Sequence, residues 1–472
     1  MTIRSLYGRS HGPTRVSTVL SADDLRALSR QILDMTTADT MIVNVSHLAV
    51  GITRVMRGEV RMNDSGDTLI VSLTSRFGRR VAMRLNINQT DITSLRQAAQ
   101  YLERVASQQI GDPVNIAMPI PPRTYLPNTT WHDSTMSAFH EARHAAVETV
   151  VAPVVQAGLT TSASVGVMLM SRSHADKQGM LAAGQSTDSE VTVTAWNPDG
   201  KGSGWAGATA RDWNTLQLGK ISEDAIRLTR LAAKPVAVEP GRRTAILDRP
   251  AVAQLVARMG WAFNADRILG GSGPLFDRVT NKPRMGERVF DPRVTLSSDP
   301  NDPDGGYLPF NTDGYPLVPM TWVGTGGILQ NMAFNTFSAA MQGVAPANDD
   351  PRSLRMSGGP TTVEEMIATC KEGIYVNRFS QVTDLEYTSG MMTGLTNGAC
   401  FYIKDGKIVK SIRHFRFLES PWHFLNRVLA IGPPERTAFG YSPWQEGWPV
   451  SPTIVPPLMI RDFNFTALAD NV

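Results

Sequence analysis

His140-Glu-Ala-Arg-His144 is the stretch whose residue types and spacing could by themselves do chemistry. Two histidines one helical turn apart share a face and can bind zinc, and a glutamate beside them can act as general base. Taken alone, His140, Glu141 and His144 describe a stand-alone zinc peptidase. A catalytic zinc also needs a third protein ligand. No metzincin- or gluzincin-like continuation appears before Pro153, where the helix is expected to stop. Beyond it, His174 falls in an expected loop and Glu190 at an expected strand start. The competing reading is the polar first turn of an amphipathic helix. Ala145, Val147, Val150 and Val151 would then pack below, with Glu141 near the positive helix end.

The elements that must position this string are legible. Ser21-Ala-Asp-Asp24 is a capping box ahead of Leu25, Leu28, Ile32 and Leu33 at helical spacing. Alternation at Met41 to Val45, Thr68 to Thr74 and Val81 to Ile87 predicts a meander, with a turn at Asn63-Asp-Ser-Gly66. A second helix is expected from about Thr90 to Ala106, burying Leu95, Ala98, Leu102 and Val105. Pro113, Pro119, Pro121, Pro122 and Pro127 predict a surface connector over about 112–128. The His140 helix should span about Ser137 to Ala152. Strands follow at Ser164 to Ser171 and Glu190 to Trp196, then a helix at Ser222 to Ala233 and a strand at Thr244 to Asp248. The expected fold is α+β. A mixed helix/strand N-terminal domain over 20–236 would precede a β-rich C-terminal domain over 237–472, whose Gly and Asp turns point to a sheet closing on itself.

Composition narrows the function. With 42% hydrophobic and 19% charged residues the chain can bury a sizeable core. Its 46 basic and 43 acidic residues leave a net charge of +3, with no long basic run to follow a phosphate backbone, so nucleic acid is not an expected partner. No apolar stretch approaches the roughly 20 residues of a membrane span, and Gly, Pro, Ser and Thr interrupt Met1 to Leu20 before any export segment. A cytoplasmic protein is expected. Cys370 and Cys400 lie in core-like segments and are read as buried thiols. Asp299-Pro-Asn-Asp-Pro-Asp-Gly-Gly306 has carboxylates suited to calcium but lacks an EF-hand arrangement, and is read as a loop.

The C-terminal half carries an ordered set of motifs. Glu365 to Phe379 contains Gly-Ile-Tyr-Val-Asn-Arg-Phe, and Thr393 to Ile408 contains Ile-Lys-Asp-Gly-Lys-Ile. Before them stand Val238 to Val252, Gly286 to Asp291, Thr321 to Leu329 and Ser357-Gly-Gly359. Physically, Asp405-Gly406 and Thr325-Gly-Gly327 are hairpin turns, and Gly373 reads as a left-handed cap between helix and strand. Taken in order, the set resembles the TldD/TldE (PmbA) family, strongly from about Pro240 onward and weakly before it.

In that family, catalytic TldD subunits carry H-E-x-x-x-H on a helix soon after a P-G-x-x-x-V-L strand, with a late cysteine as third ligand. In this sequence the resemblance places Val256 and Trp261 at the two histidines and Ala257 at the glutamate; near the cysteine it offers Tyr441 but no thiol. The resemblance therefore implies a zinc-lacking, TldE-like subunit. Its partner would be a TldD-like zinc-bearing paralogue, and the heterodimer would cleave unfolded or modified peptides or perform a related biosynthetic amide hydrolysis. No metal or catalytic residue is then expected in this chain, and His140-Glu141-His144 is a decoy. Arg378 and Asp384, in and just after the signature strand, are candidate substrate-cleft residues, or a structural ion pair. Two other readings stay open: the stand-alone zinc peptidase, and a non-catalytic assembly or binding protein.

Overall fold

The computed structural model describes residues 19–87, 91–111, 124–139, 141–348, 351, 353–438 and 452–469. The fold is α+β, mixed in its N-terminal part and β-rich beyond. Six strands, β1 (Thr40–Met56), β2 (Glu59–Phe77), β3 (Arg80–Ile87), β4 (Thr160–Asp176), β5 (Leu181–Trp196) and β6 (Ser203–Ala210), form one antiparallel sheet in the order β3-β2-β1-β4-β5-β6. Alternate residues of β1, among them Met41, Val43, Val45, Ala49 and Val55, are buried on one face. Helices α1 (Ala22–Asp34) and α2 (Ile92–Gln108) cover one end of that face. After the short α3 (Asp133–Ser137), α4 (Glu141–Gln156) and α5 (Leu218–Leu231) cover the other. An antiparallel sheet needs only one covered face; here Leu308 and Phe310 also cover Met170 and Ala182 on the opposite one.

Some local expectations do not hold. Asn63 to Gly66 lie inside β2, paired with β1 (Thr53 with Asn63, Gly51 with Ser65). The chain reverses instead at Arg57-Gly58, with φ of 54° and 78°, the two positive dihedrals of a tight hairpin. The ladder overruns the polar stretch because β1 keeps supplying a partner, and Thr53 Oγ1 donates to Asn63 Oδ1 at 2.9 Å. Helix α4 likewise runs through Pro153 to Gln156. An interior proline costs about 3 kcal/mol, but Val150 and Val154 around it are fully buried, each worth roughly 1.5–3 kcal/mol. Ala145 is exposed, and Ala146 and Val154 join Val147 and Val150 in the core. His174 is in β4 rather than a loop, and Glu190 is well inside β5. Of the proline connector, 112–123 lies outside the described residues.

The later part begins with β7 (Gly241–Leu247), α6 (Arg249–Val256), a 3-10 segment at Ala257–Phe263 and α7 (Ala265–Leu269). Short elements follow: β8 (Phe276–Asp277), β9 (Lys282–Pro283), β10 (Leu296–Ser298), β11 (Met320–Gly324), β12 (Ile328–Leu329), α8 (Thr336–Gln342), β13 (Arg355–Met356) and α9 (Val363–Thr369). Then come β14 (Glu372–Glu386), β15 (Met391–Lys404), β16 (Lys407–Ser411), β17 (Phe415–Glu419), α10 (Pro421–Phe424), β18 (Val428–Ile431), β19 (Glu435–Thr437), β20 (Thr453–Val455) and β21 (Leu458–Leu468). Strand β7 lies between β14 and β21, β21 pairs with β17, β17 with β15, and β15 returns to β14, so five strands close a ring. Phenylalanines fill the core beside it: Phe379 lies 4.4 Å from Phe417 and 5.9 Å from Phe463. A second sheet, β12-β11-β10-β13-β20-β19, lies alongside in the sequence.

The two expected hairpins occur, at Asp405-Gly406 (φ 48° and 76°) and Gly326-Gly327 (φ 84° and 69°). Gly373 is not a helix cap. It is the second residue of β14, and α9 ends at an extended Cys370. What it supplies is room, since a Cβ there would lie 2.7 Å from the Thr244 carbonyl oxygen of β7.

Candidate functional site

His140 lies outside the described residues; Glu141 opens α4, and both Glu141 and His144 are exposed. His144 Nε2 is 2.9 Å from Nδ2 of Asn63, whose amide is held in turn by Thr53. The buried member of the string is Arg143. Its guanidinium donates to the Asp64 carbonyl at 3.2 Å, lies 5.6 Å over the Phe139 ring, and occupies the space left by Gly51. Burial lowers its pKa to about 10, opposed in part by the Asp64 carboxylate. Among the described residues, no three His, Cys, Asp or Glu side chains are grouped so as to hold a metal ion.

The segment around Val256 is built differently. Asp248 caps α6, accepting from the Arg249 N–H at 2.8 Å, and Pro250 follows in the first turn. After Val256 the helix tightens to 3-10 geometry. Val256, Met259 and Phe263 are fully buried in the main core, whereas Ala257 is exposed. Trp261 meets Tyr387 edge-on at 5.1 Å, and the Arg267 guanidinium lies 5.1 Å and 5.4 Å over these two rings. Three residues earlier, Arg258 pairs with Asp384 at 3.3 Å. Valine, alanine and tryptophan side chains offer zinc no ligand atom.

Arg378 and Asp384 are not brought together. Arg378 points to the seam with the N-terminal sheet, 5.0 Å over Trp205, and donates to Asn397 Oδ1 at 3.2 Å. Burial lowers its pKa to about 10, offset by the nearby Glu190 carboxylate. Close by, a half-open cavity of about 400 Å³ separates α5 from the first turns of α6 and α9. Trp205, Tyr375 and Phe401 line it, the last two stacked at 5.6 Å and 19°. The Tyr375 hydroxyl donates to Asp248 at 2.6 Å. Burial raises the Asp248 carboxyl, and burial together with that carboxylate pushes the Tyr375 phenol well above its usual value.

Residues 240–467 match the PmbA/TldA metallopeptidase C-terminal domain. Residues 240–467 thus carry a C-terminal domain of the PmbA/TldD type. A curated metalloprotease from Archaeoglobus fulgidus is 25% identical over 217 residues, 41% of this chain and 47% of that protein, so the match spans about half the relative's length. In fold, the likeness extends further. TldE from Thermococcus kodakarensis superposes with a TM-score of 0.78 at 15% identity, over 94% of this chain and 99% of that one. A proposed modulator of DNA gyrase from Thermotoga maritima gives 0.77 at 14% identity over the same shares. One from Bacteroides thetaiotaomicron gives 0.77 at 16%, again over 94% and 99%.

Within the TldD/PmbA domain, Cys370 and Cys400 are buried free thiols. Burial raises both, Cys400 to about 12, which keeps it a neutral core group. Tyr441 lies outside the described residues. In the 299–306 loop, Asp302 is paired with Arg355 and accepts from the N–H groups of Asp304 and Gly305. Sequence reasoning missed the Asp248–Tyr375 pair and the cavity beside it. The available signal was Asp248-Arg-Pro250, a cap followed by an N-terminal proline, directly after the β7 strand.

Proposed function

We propose that this chain is the zinc-free, TldE-like subunit of a cytoplasmic, heterodimeric metallopeptidase of the TldD/TldE type. A TldD-like partner with an intact H-E-x-x-x-H supplies zinc and general base, and this chain supplies walls, closure and substrate selection for unfolded or modified peptides. The observation that carries this reading is the environment of Val256, Ala257 and Trp261: one residue sealed in the core, one methyl, and one indole packed against Tyr387 under Arg267. The family's metal chemistry has no donor atoms at those positions.

The test is expression alone and with a TldD-like protein, followed by native mass, zinc content and hydrolysis of an unfolded peptide. The expected result is a 1:1 complex whose zinc and activity disappear when the partner's motif is mutated. Stoichiometric zinc in this chain alone, lost in His140→Ala and His144→Ala, would overturn the reading in favour of a stand-alone peptidase.

A further inference from the structure

We infer that the cavity between α5 and the first turns of α6 and α9 binds a small zwitterion with an apolar body: a free amino acid or the two ends of a very short peptide. Its volume of about 400 Å³ falls in the range of small-molecule sites, roughly 300–1,000 Å³. Its apolar lining comes from Trp205, Tyr375, Phe401 and Leu228, each at most 5% exposed, and from the more open Leu231. The charged side chains on the walls are balanced in sign. Lys220, Arg227, Arg249 and Arg436 face Asp224, Asp248, Glu364 and Glu435.

Most of these charges already have partners. Arg227 pairs with Asp224 at 3.0 Å, Arg249 with Glu435 at 3.1 Å, Arg436 with Asp188 at 2.7 Å, and Asp248 accepts from Tyr375. Among the described residues, Lys220 on α5 and Glu364 on α9 have no ion-pair partner. Among the described residues, one cation and one anion on different walls of one pocket thus have no ion-pair partner. On the same lining, Asn377 is 3% exposed, and its Oδ1 has no hydrogen-bond donor among the described residues, an arrangement native proteins rarely leave unused. A purely anionic occupant would meet Glu364, and a purely cationic one Lys220. A zwitterion satisfies both, its carboxylate toward Lys220 and its ammonium toward Glu364.

The inference does not depend on the zinc-free reading and is tested on this chain alone. Titration calorimetry of the full chain would use the dipeptide Phe-Leu, its N-acetyl form, its C-terminal amide, the doubly blocked form, and free phenylalanine. The doubly blocked form is expected to bind at least about tenfold more weakly than free Phe-Leu, the loss of about 1.4 kcal/mol. Lys220→Glu should weaken Phe-Leu by a similar factor while leaving its C-terminal amide unaffected. Glu364→Lys should weaken Phe-Leu and spare its N-acetyl form. Both side chains are exposed and, among the described residues, have no ion-pair partner, so the variants should melt like the parent. Free phenylalanine matching Phe-Leu would identify the occupant as an amino acid, and a clear preference for Phe-Leu would identify peptide ends. Equal affinity for blocked and free dipeptide, or no binding of any probe at millimolar concentration, would overturn the assignment.

Discussion

The start of α4 and the end of α6 are opposites. At α4 the residue types of a zinc site stand in order, yet Glu141 and His144 face solvent, and the nearest anchor of His144 is an amide, Asn63. At α6 the residue types are absent, yet the surroundings are those of a built site. An N-capped helix leads from the β7 strand into a dense core, and two contacts at equal spacing tie the 3-10 segment that continues it to the end of β14 and the turn just after: Arg258 with Asp384, then Trp261 with Tyr387. A functional site requires converging elements that lock its side chains in place. The α4 string meets β1 and β2 through Arg143 and His144, but finds there Gly51, the Asp64 carbonyl and the Asn63 amide rather than further ligands. The α6 segment lies against β7 and β14, and fills the space with packing.

The largest effect should come from forcing the α4 chemistry onto the α6 place. The triple variant Val256→His, Ala257→Glu, Trp261→His removes a buried valine and an edge-on ring contact, and buries an imidazole in an apolar core. It should lose on the order of 4 kcal/mol of stability, measured by urea unfolding. If the variant is as stable as the parent, Val256 is not a core residue and Trp261 does not pack against the core, and the contrast between the two regions collapses.

Much of this contrast was legible from residues, and the exceptions have physical reasons. Local signals succeeded where geometry is decided within a few residues: the Ser21–Asp24 capping box and the positive dihedrals at Asp405-Gly406 and Gly326-Gly327 are all present. They failed where a distant partner decides. The 63–66 stretch looks like a turn until β1 pairs with it, Pro153 looks like a helix end until the buried valines around it are counted, and Gly373 looks like a cap until Thr244 lies against it. At the candidate site, the missing ligands at Val256, Ala257 and Trp261 could be read from order along the chain. The seam cavity could not, because its walls come from α5, α6, α9 and β14, which are far apart in sequence.

The next effect concerns a histidine with no motif around it. His414 is half-buried near Arg378, with Thr396 Oγ1 3.2 Å from its Nδ1. Burial first, and then the Arg378 cation, lower its pKa from 6.5 to about 4. The unfolded chain therefore binds this proton near pH 6.5 and the native chain only near 4. Stability is full above the unfolded value and falls as pH drops through this window, by about 3 kcal/mol. In His414→Gln that component should vanish. Urea unfolding at pH 7 and pH 4 should show a loss about 3 kcal/mol smaller in the variant than in the parent. Equal losses would mean that His414 charges freely in the native state, and that burial perturbs a histidine no more than exposure does.

The smallest effects divide the α4 string against its motif reading. Arg143, one of the two positions that an H-E-x-x-H pattern leaves unspecified, is the buried one, lying over Phe139 and bonded to the Asp64 carbonyl. Arg143→Ala should cost about 2 kcal/mol through lost packing and an unsatisfied carbonyl. His144→Ala and Glu141→Ala, both on the exposed side, should each stay within about 0.5 kcal/mol and leave unchanged the zinc content and peptidase activity of a complex with a TldD-like partner. Thermal melts order the three variants, and metal analysis separates packing from chemistry. If His144→Ala lowered zinc or activity while Arg143→Ala left stability intact, the exposed string would be a working site and α4 would have to be read as its scaffold.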